Sequence, residues 1–298
     1  MSGILVAMQG AVAQGVLWGI MVLGVYITYR LLDIADLTVD GSFALGGCVC
    51  AALVINFDLD PLAALLLSML AGMAAGAVTG ILHTVLEIPA ILAGILTQIS
   101  LWSINLRIMS GKSNLPLLKL KTLISSVGDS LGITQAQASI LVGVAAAVLI
   151  VAVLYWFFGT EIGSALRATG NNEDMIRALG VNTKWTKLLA LMLSNGLVGM
   201  SGAVYSQYMG YTDVTAGSGT VVSGFASVII GEAVLYNFDY RGSAELGCRI
   251  DKAYAGNGYG TEAFRCAAEW GLYQVNLSRI VAKCYKENEA SYKMLSAC

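Results

Sequence analysis

Charge is what this chain has least of. Only 12% of its 298 residues are Asp, Glu, Lys or Arg, about half the share found in ordinary soluble domains. Hydrophobic residues make up 57%, and the mean hydropathy is +0.73. A chain of that composition cannot cover its own surface in water. The net charge of -2 and the scatter of Lys and Arg leave no basic stripe, which excludes nucleic acid as a partner. Histidine occurs once, at His83, and reads as an interfacial polar residue rather than a metal ligand. The six cysteines, Cys48, Cys50, Cys248, Cys266, Cys284 and Cys298, form no pair of C-x-x-C motifs and no small secreted framework, so free thiols are expected. The apolar start, residues 4–28, has no basic residue before it and no clean small-residue cleavage site. It is expected to stay as a membrane span rather than to be removed as a signal peptide.

What is present is a series of apolar runs. A spanning helix needs about 20 mostly apolar residues, because the hydrocarbon core is about 30 Å thick and a helix rises 1.5 Å per residue. Residues 4–28, 61–82, 88–109, 138–158 and 188–208 meet that length. Pro61 and Pro89 sit in first turns, where a missing N–H costs little. Gly72, Gly76 and Gly80 fall four apart, a spacing that lets two helices approach closely in lipid. Residues 29–42, YRLLDIADLTVDGS, carry Arg30, Asp33, Asp36 and Asp40, and residues 43–56 are short for a full crossing. Two readings stand there: a broken or re-entrant helix whose aspartates border a solute path, since irregular backbone at membrane depth needs protein or a wet cavity beside it, and an interfacial loop. Gln98, Ser100, Ser103, Asn105 and Arg107 are expected to face other helices or a cavity. Residues 110–137 read as a polar connection, and residues 221–235 as a helix cut short.

Between the spans at 138–158 and 188–208 lies EIGSALRATGNNEDMIRALGVN, residues 161–182, a polar stretch that reads as a short helix in water. Asn171 and Asn172 can cap a helix opened by Glu173 and Asp174. Gly180 can end it in a left-handed turn. Lysine and arginine barely decide the orientation. Arg167, Arg177, Lys184 and Lys187 lie near this hook, and three lysines lie in the loop before the preceding span.

From Met8 to about Val234 the chain resembles the permease subunits of the branched-chain amino acid and ribose-type ABC importers, and within them an uncharacterised subgroup with aromatic amino acids as solutes. The resemblance rests on MQGAVAQGVLWGIMVLGVYITYRLLDIADLTVDGSFALGG, IPAILAGILTQISLWSINLRIM, ALRATGNNEDMIRALGVNT and GFASVIIGEAV. It implies an all-α polytopic membrane protein of about six to seven spans in a bacterial plasma membrane. It also implies a second permease copy, cytoplasmic ATPase subunits that bind the ATP, an extracytoplasmic substrate-binding protein, and no covalent chemistry or cofactor in the permease itself. The family's coupling helix would fall on the hook, with Arg167, Ala168, Gly170, Asn172, Ala178, Gly180 and Asn182 at the ATPase. Asp33, Asp36, Asp40, Gln98 and Asn105 are the expected solute-path residues.

At Tyr236 the chain turns polar. AELGCRIDKAYAGNGYGTEAFRCAAEWGLYQVNLSRIVAKCYKENEASYKMLSAC resembles the central part of GNAT-superfamily acetyltransferases of the ribosomal-protein N-acetyltransferase type. A strand at 245–250, a glycine loop and a helix from about Thr261 are expected. The resemblance implies a vestigial acetyl-CoA loop at Gly256, Gly258, Gly260 and Thr261, with Asn288 nearby, because glycine and a helix start suit a pyrophosphate. Ala255 stands where that superfamily has Arg or Gln, and no general base is evident. The expected organisation is a permease part, 1–235, interrupted in mid-helix and joined as a chimera or decayed fusion to a short α/β fragment, 236–298, without activity.

Overall fold

Six helices among the described residues are long and apolar enough to cross a bilayer. In chain order the computed structural model has α1 (Ser2–Tyr26), prolonged by a π-helical turn (Ile27–Leu31), then α2 (Thr38–Phe57), α3 (Pro61–Thr84) and α4 (Ala90–Ile108). A short strand β1 (Asn114–Pro116) and α5 (Leu123–Leu131) precede α6 (Gln135–Phe158). The hook is α7 (Glu161–Asn171) and α8 (Glu173–Ala178), and α9 (Thr183–Met209) follows. After β2 (Tyr211–Asp213) and α10 (Thr220–Ile229) come β3 (Glu232–Tyr236), β4 (Ser243–Arg249), α11 (Tyr259–Tyr273), β5 (Arg279–Val281) and α12 (Glu289–Ser296). The structure describes residues 2–117, 120, 122–229, 232–236, 243–249, 259–273, 279–282 and 289–296. The spans are α1 with its π turn, α2, α3, α4, α6 and α9.

The chain divides into two compact units, Met1–Gly224 and Phe225–Cys298. In the first, α9 is the central post and α1, α2 and α3 pack along it. Small residues set those contacts. The expected glycine ladder of α3 is in place: a methyl group on Gly72, Gly76 or Gly80 would overlap α9 at Asn195, Leu191 or Leu188. Gly46 of α2 lies against the backbone of Gly199, and Gly202 of α9 against that of Phe43. Water exclusion does not drive helices together in lipid, so close backbone approach and interhelical hydrogen bonds carry the association. Ser194 Oγ donates to the Gly24 carbonyl at 2.8 Å and Ser201 Oγ to the Leu17 carbonyl at 2.7 Å. By contrast α6 is buried only at Ala138, Ser139, Gly143 and Ile150. Its remaining surface, with Val148, Leu149 and Tyr155 exposed, suits lipid.

Three expectations are corrected here. The second span is full length, because its helix begins at Thr38 rather than Phe43; the irregular stretch shrinks to the π turn and residues 32–37. The polar connection at 110–137 holds two short elements. Leu115 of β1 pairs with Thr212 of β2, and α5 opens on a reciprocal cap between Thr122 and Ser125. The hook is two helices, broken at Asn172, whose extended backbone (φ -158°, ψ 97°) ends α7 and starts α8. The segment expected as a cut-short helix at 221–235 is helical only within the ten-residue α10, Thr220–Ile229, and residues 232–235 belong to strand β3.

In the second unit β3 pairs antiparallel with β4, and β4 pairs in parallel with β5, the helix α11 forming the crossover. Leu246 and Phe264 are buried in it. The strand expected at 245–250 is β4, and the expected helix begins at Tyr259. This unit starts earlier in the chain than the compositional change at Tyr236, because β3 belongs to its sheet.

Candidate functional site: a water-side hook and a polar break in the bundle

The hook is built from local signals. Thr160 caps α7 by accepting from the Gly163 N–H, Asn172 caps α8 by accepting from Met175 at 3.0 Å, and Asn182 caps α9 by accepting from Lys184 at 3.1 Å. Each side chain satisfies donors that a helix start leaves open. Asn171 is the last residue of α7 and caps nothing. Gly180 has φ +86°, the left-handed conformation that L side chains rarely adopt, and it follows α8 as expected. Glu173 ties α8 to the bundle: it accepts from Lys187 of α9 at 2.6 Å and from Arg177 at 2.8 Å. The Lys187 hydrogen bond holds its carboxyl below the usual range, against a smaller upward push from burial.

The hook also meets the end of the first span. Gly170 of α7 lies against the Leu31 carbonyl so closely that a methyl group would overlap it. A shallow groove there is lined by Arg30, Leu31, Ser164, Arg167, Ala168 and Gly170. Of the expected coupling residues, Arg167, Ala168 and Gly170 share this groove, whereas Asn172, Ala178, Gly180 and Asn182 are exposed on the other arm. Met175 and Leu179 are exposed beside them.

Beyond the π turn the chain reverses at Asp33, an exposed residue in left-handed conformation (φ 56°). Asp36 is buried. Its carboxylate accepts from the Thr38 N–H at 2.9 Å, which opens α2, and from Asn195 Nδ2 at 2.6 Å. Asn195 Oδ1 in turn accepts from Ser42 at 2.7 Å, and the Thr38 and Thr79 hydroxyls are 2.8 Å apart. Asn195 does not stand out in the sequence as a site residue; its one signal there is an amide in the middle of an otherwise apolar span. One turn further on, Asp40 reaches across the bundle. It accepts from the Gly219 N–H at 3.1 Å, the Val221 N–H at 2.7 Å and the Thr220 hydroxyl at 2.9 Å. It thereby caps α10 from another helix, with its negative charge at the helix end that favours anions.

Asp40, Gln98 and Asn105 line one cavity of about 280 Å3, together with Trp102, Val214 and Ser218. Asp33 and Asp36 lie outside it. Asn105 is 1% exposed, and neither atom of its amide meets a partner among the described residues. Elsewhere His83 Nδ1 bonds the Ile88 carbonyl at 2.9 Å, and Cys48, Cys50 and Cys266 are free. The described residues hold no cluster of three or more metal-ligating side chains. Of the expected acetyl-CoA residues, Gly256, Gly258 and Asn288 lie outside the described residues, and Gly260 and Thr261 fall in the first turn of α11.

The family model described as "Branched-chain amino acid transport system / permease component" matches residues 7–281. The chain belongs to that permease family. It is 42% identical over 240 residues to the tyrosine transport system permease protein of Clostridioides difficile, covering 80% of this chain and 76% of that one. An uncharacterized protein of Rickettsia prowazekii is 34% identical over 227 residues, 76% of this chain and 77% of its own length. The autoinducer 2 import system permease protein LsrC of Yersinia pseudotuberculosis is 28% identical over 204 residues, 68% and 54% of the two chains. No solved structure matches. The permease is thus a multi-pass plasma membrane protein of the bacterial ABC transport type. The family match runs through β3, β4, α11 and β5, and nothing in these matches supports an acetyltransferase in that stretch.

Proposed function

We propose that this permease is the membrane-spanning subunit of an ATP-driven importer of an aromatic amino acid, paired with a second copy of itself, cytoplasmic ATPases and an extracytoplasmic binding protein. The solute assignment draws on the 42% identity to a protein named for tyrosine transport. The observation that carries the coupling role is the seat of Gly170 against Leu31. Through it a push on α7 passes to the π turn and from there, over the short non-helical stretch 32–37, to Asp36 and Asp40. The exposed Met175 and Leu179 offer an apolar foothold to the ATPase. The hook lies on the cytoplasmic side in this reading. Arg30 borders the hook groove and adds one basic residue to Arg167, Arg177, Lys184 and Lys187 at this end, a small excess over the other. ATP is hydrolysed in the partner, and alternating access follows from hinge or shear motion of the helices.

The test is Gly180→Val in the complete importer. A β-branched residue at φ +86° distorts the turn between α8 and α9 at a cost on the order of 1–2 kcal/mol. Solute-stimulated ATP hydrolysis should fall at least tenfold while the subunits still co-purify. Normal stimulation would refute the hook as the coupling element. The alternative, an N-acetyltransferase in residues 236–298, has one observation in its favour, the parallel β4–α11–β5 crossover. Acetyl-CoA titrated onto the full chain decides it: absence of binding removes that reading.

A further inference from the structure

We propose that the cavity at the end of α9 remote from the hook receives the ammonium group of the solute, between two tyrosine rings and the Asp213 carboxylate. This rests on the importer reading above and adds to it the end of the solute that enters first. The cavity, about 230 Å3, is lined by Phe43 of α2, Tyr205 of α9, Tyr211 and Asp213 of β2, and Thr215 and Ala216 of the turn after it. It adjoins the Asp40 cavity, since consecutive residues divide between the two linings, Phe43 and Asp213 in this one, Ala44 and Val214 in the other. A solute held here is next to the polar break. The groups that would meet it are within reach of water: Tyr211 is 43% exposed, Tyr205 and Asp213 are half-buried, and Thr215 is exposed.

Charge decides what fits. Asp213 is the one charged side chain in the lining, and no Lys or Arg among the described residues pairs with it. Its Oδ1 accepts from the Thr215 N–H and from the Thr215 hydroxyl, each at 2.6 Å. Those bonds fix the carboxylate on the turn and leave Oδ2 to a ligand. An ammonium group completes such a carboxylate with a charge-assisted hydrogen bond, and the negative faces of tyrosine rings attract the same cation. Tyr205 is held for that role by its neighbours, edge-on to Trp18 with ring centroids 6.2 Å apart and tilted on Phe43 at 5.6 Å. A carboxylate group meets the reverse, one like charge and no cation. The volume is also below the roughly 300–1,000 Å3 of pockets that enclose a whole ligand. The amino end of the solute therefore enters, its carboxylate stays at the mouth, and the exposed Tyr211 is left for its ring.

The experiment is a saturation-transfer NMR titration of the full-length chain in nanodiscs of zwitterionic lipid, with empty discs as the blank and the binding protein left out. The ligands share one phenol ring: L-tyrosine, tyramine, which lacks the carboxylate, and hydroxyphenylpropionate, which lacks the ammonium. Tyramine should bind at least as tightly as tyrosine, and hydroxyphenylpropionate at least fivefold more weakly. Asp213→Asn keeps an acceptor for Thr215 and removes only the charge. It should weaken tyramine at least fivefold and erase the gap between amine and acid. Tyr211→Ala, at an exposed side chain, should also weaken tyramine and replaces the first variant should that one fail to fold. No binding of tyrosine or tyramine to wild type, equal binding of amine and acid, or tyramine binding unchanged in the folded variant would each overturn the site. Uptake of labelled tyrosine by cells carrying the complete importer keeps the two readings apart. Uptake present with a failed titration refutes the site alone, and no uptake of any aromatic amino acid refutes the solute assignment beneath it.

Discussion

Replacing Asp40 tests whether the break in the bundle is held by a cap supplied from a distance. Its carboxylate is the acceptor for the N–H groups of Gly219 and Val221 and for the Thr220 hydroxyl. The hydroxyl has a second acceptor, the Gly217 carbonyl at 2.8 Å, so removing the carboxylate strands only the two N–H groups. Hydrogen bonds to a charged group contribute roughly 1.5–3 kcal/mol each, which puts Asp40→Ala at about 3–6 kcal/mol. Asp40→Asn keeps one oxygen, enough for Val221, and turns a donor toward Gly219. Its cost is about half, roughly 1.5–3 kcal/mol. Denaturant unfolding of the purified permease in detergent, followed by tryptophan fluorescence, reads the two differences. Limited proteolysis of the stretch between β2 and α10 reads the local effect, which should be faster cutting in the order Ala, Asn, wild type. The reasoning fails if Asp40→Ala lies within 0.5 kcal/mol of wild type on this roughly 3–6 kcal/mol scale, or if Asn is as damaging as Ala.

Other consequences are simpler to check. Gly46→Val forces side-chain atoms into the Gly199 backbone and should cost more than about 3 kcal/mol, at the upper end for overpacking. Gly15→Ala, whose new methyl meets nothing within 4 Å, should instead stabilise α1 by up to about 1 kcal/mol; the opposite signs in one unfolding series are the check. For Glu173, the folded carboxyl is held below its ordinary value of 4.5, so the Lys187 tie is at full strength above that value and is lost as pH falls through the lower folded value. The protection factors of the α8 amides, corrected for intrinsic exchange, should therefore fall only in acid, and Glu173→Gln should show the lower protection already at pH 7. Because Glu173 is partly exposed, the effect should stay within about 1 kcal/mol.

Several elements are legible in the sequence alone. The hydrophobic runs gave five of the six spans, because a bilayer asks only for length and apolarity, both properties of a short window. The glycines at 72, 76 and 80 announced a close helix contact, and Asn172 and Gly180 announced a cap and a turn. The remaining span, α2, is hidden in the sequence for a physical reason. Asp36 and Asp40 near the start of α2 look like loop residues in a hydropathy window, yet their charges are absorbed by Asn195, more than 150 residues away, and by the start of α10. The hook looks like one helix in the sequence because the break at Asn172 leaves no mark in polarity.

The sequence by itself therefore determined the medium, the number of crossings to within one, and the position of the hook with its Asn172 cap and Gly180 turn. These follow from signals carried within a turn or a span. The tertiary structure alone decided that Gly170 seats on Leu31, that Asp40 caps α10, and that Asp40, Gln98 and Asn105 share a cavity while Asp33 and Asp36 stay outside it. Those outcomes depend on how far each helix is rotated and slid against α9. That register is fixed by small residues meeting backbone, a condition on pairs of distant positions that no single stretch of chain contains.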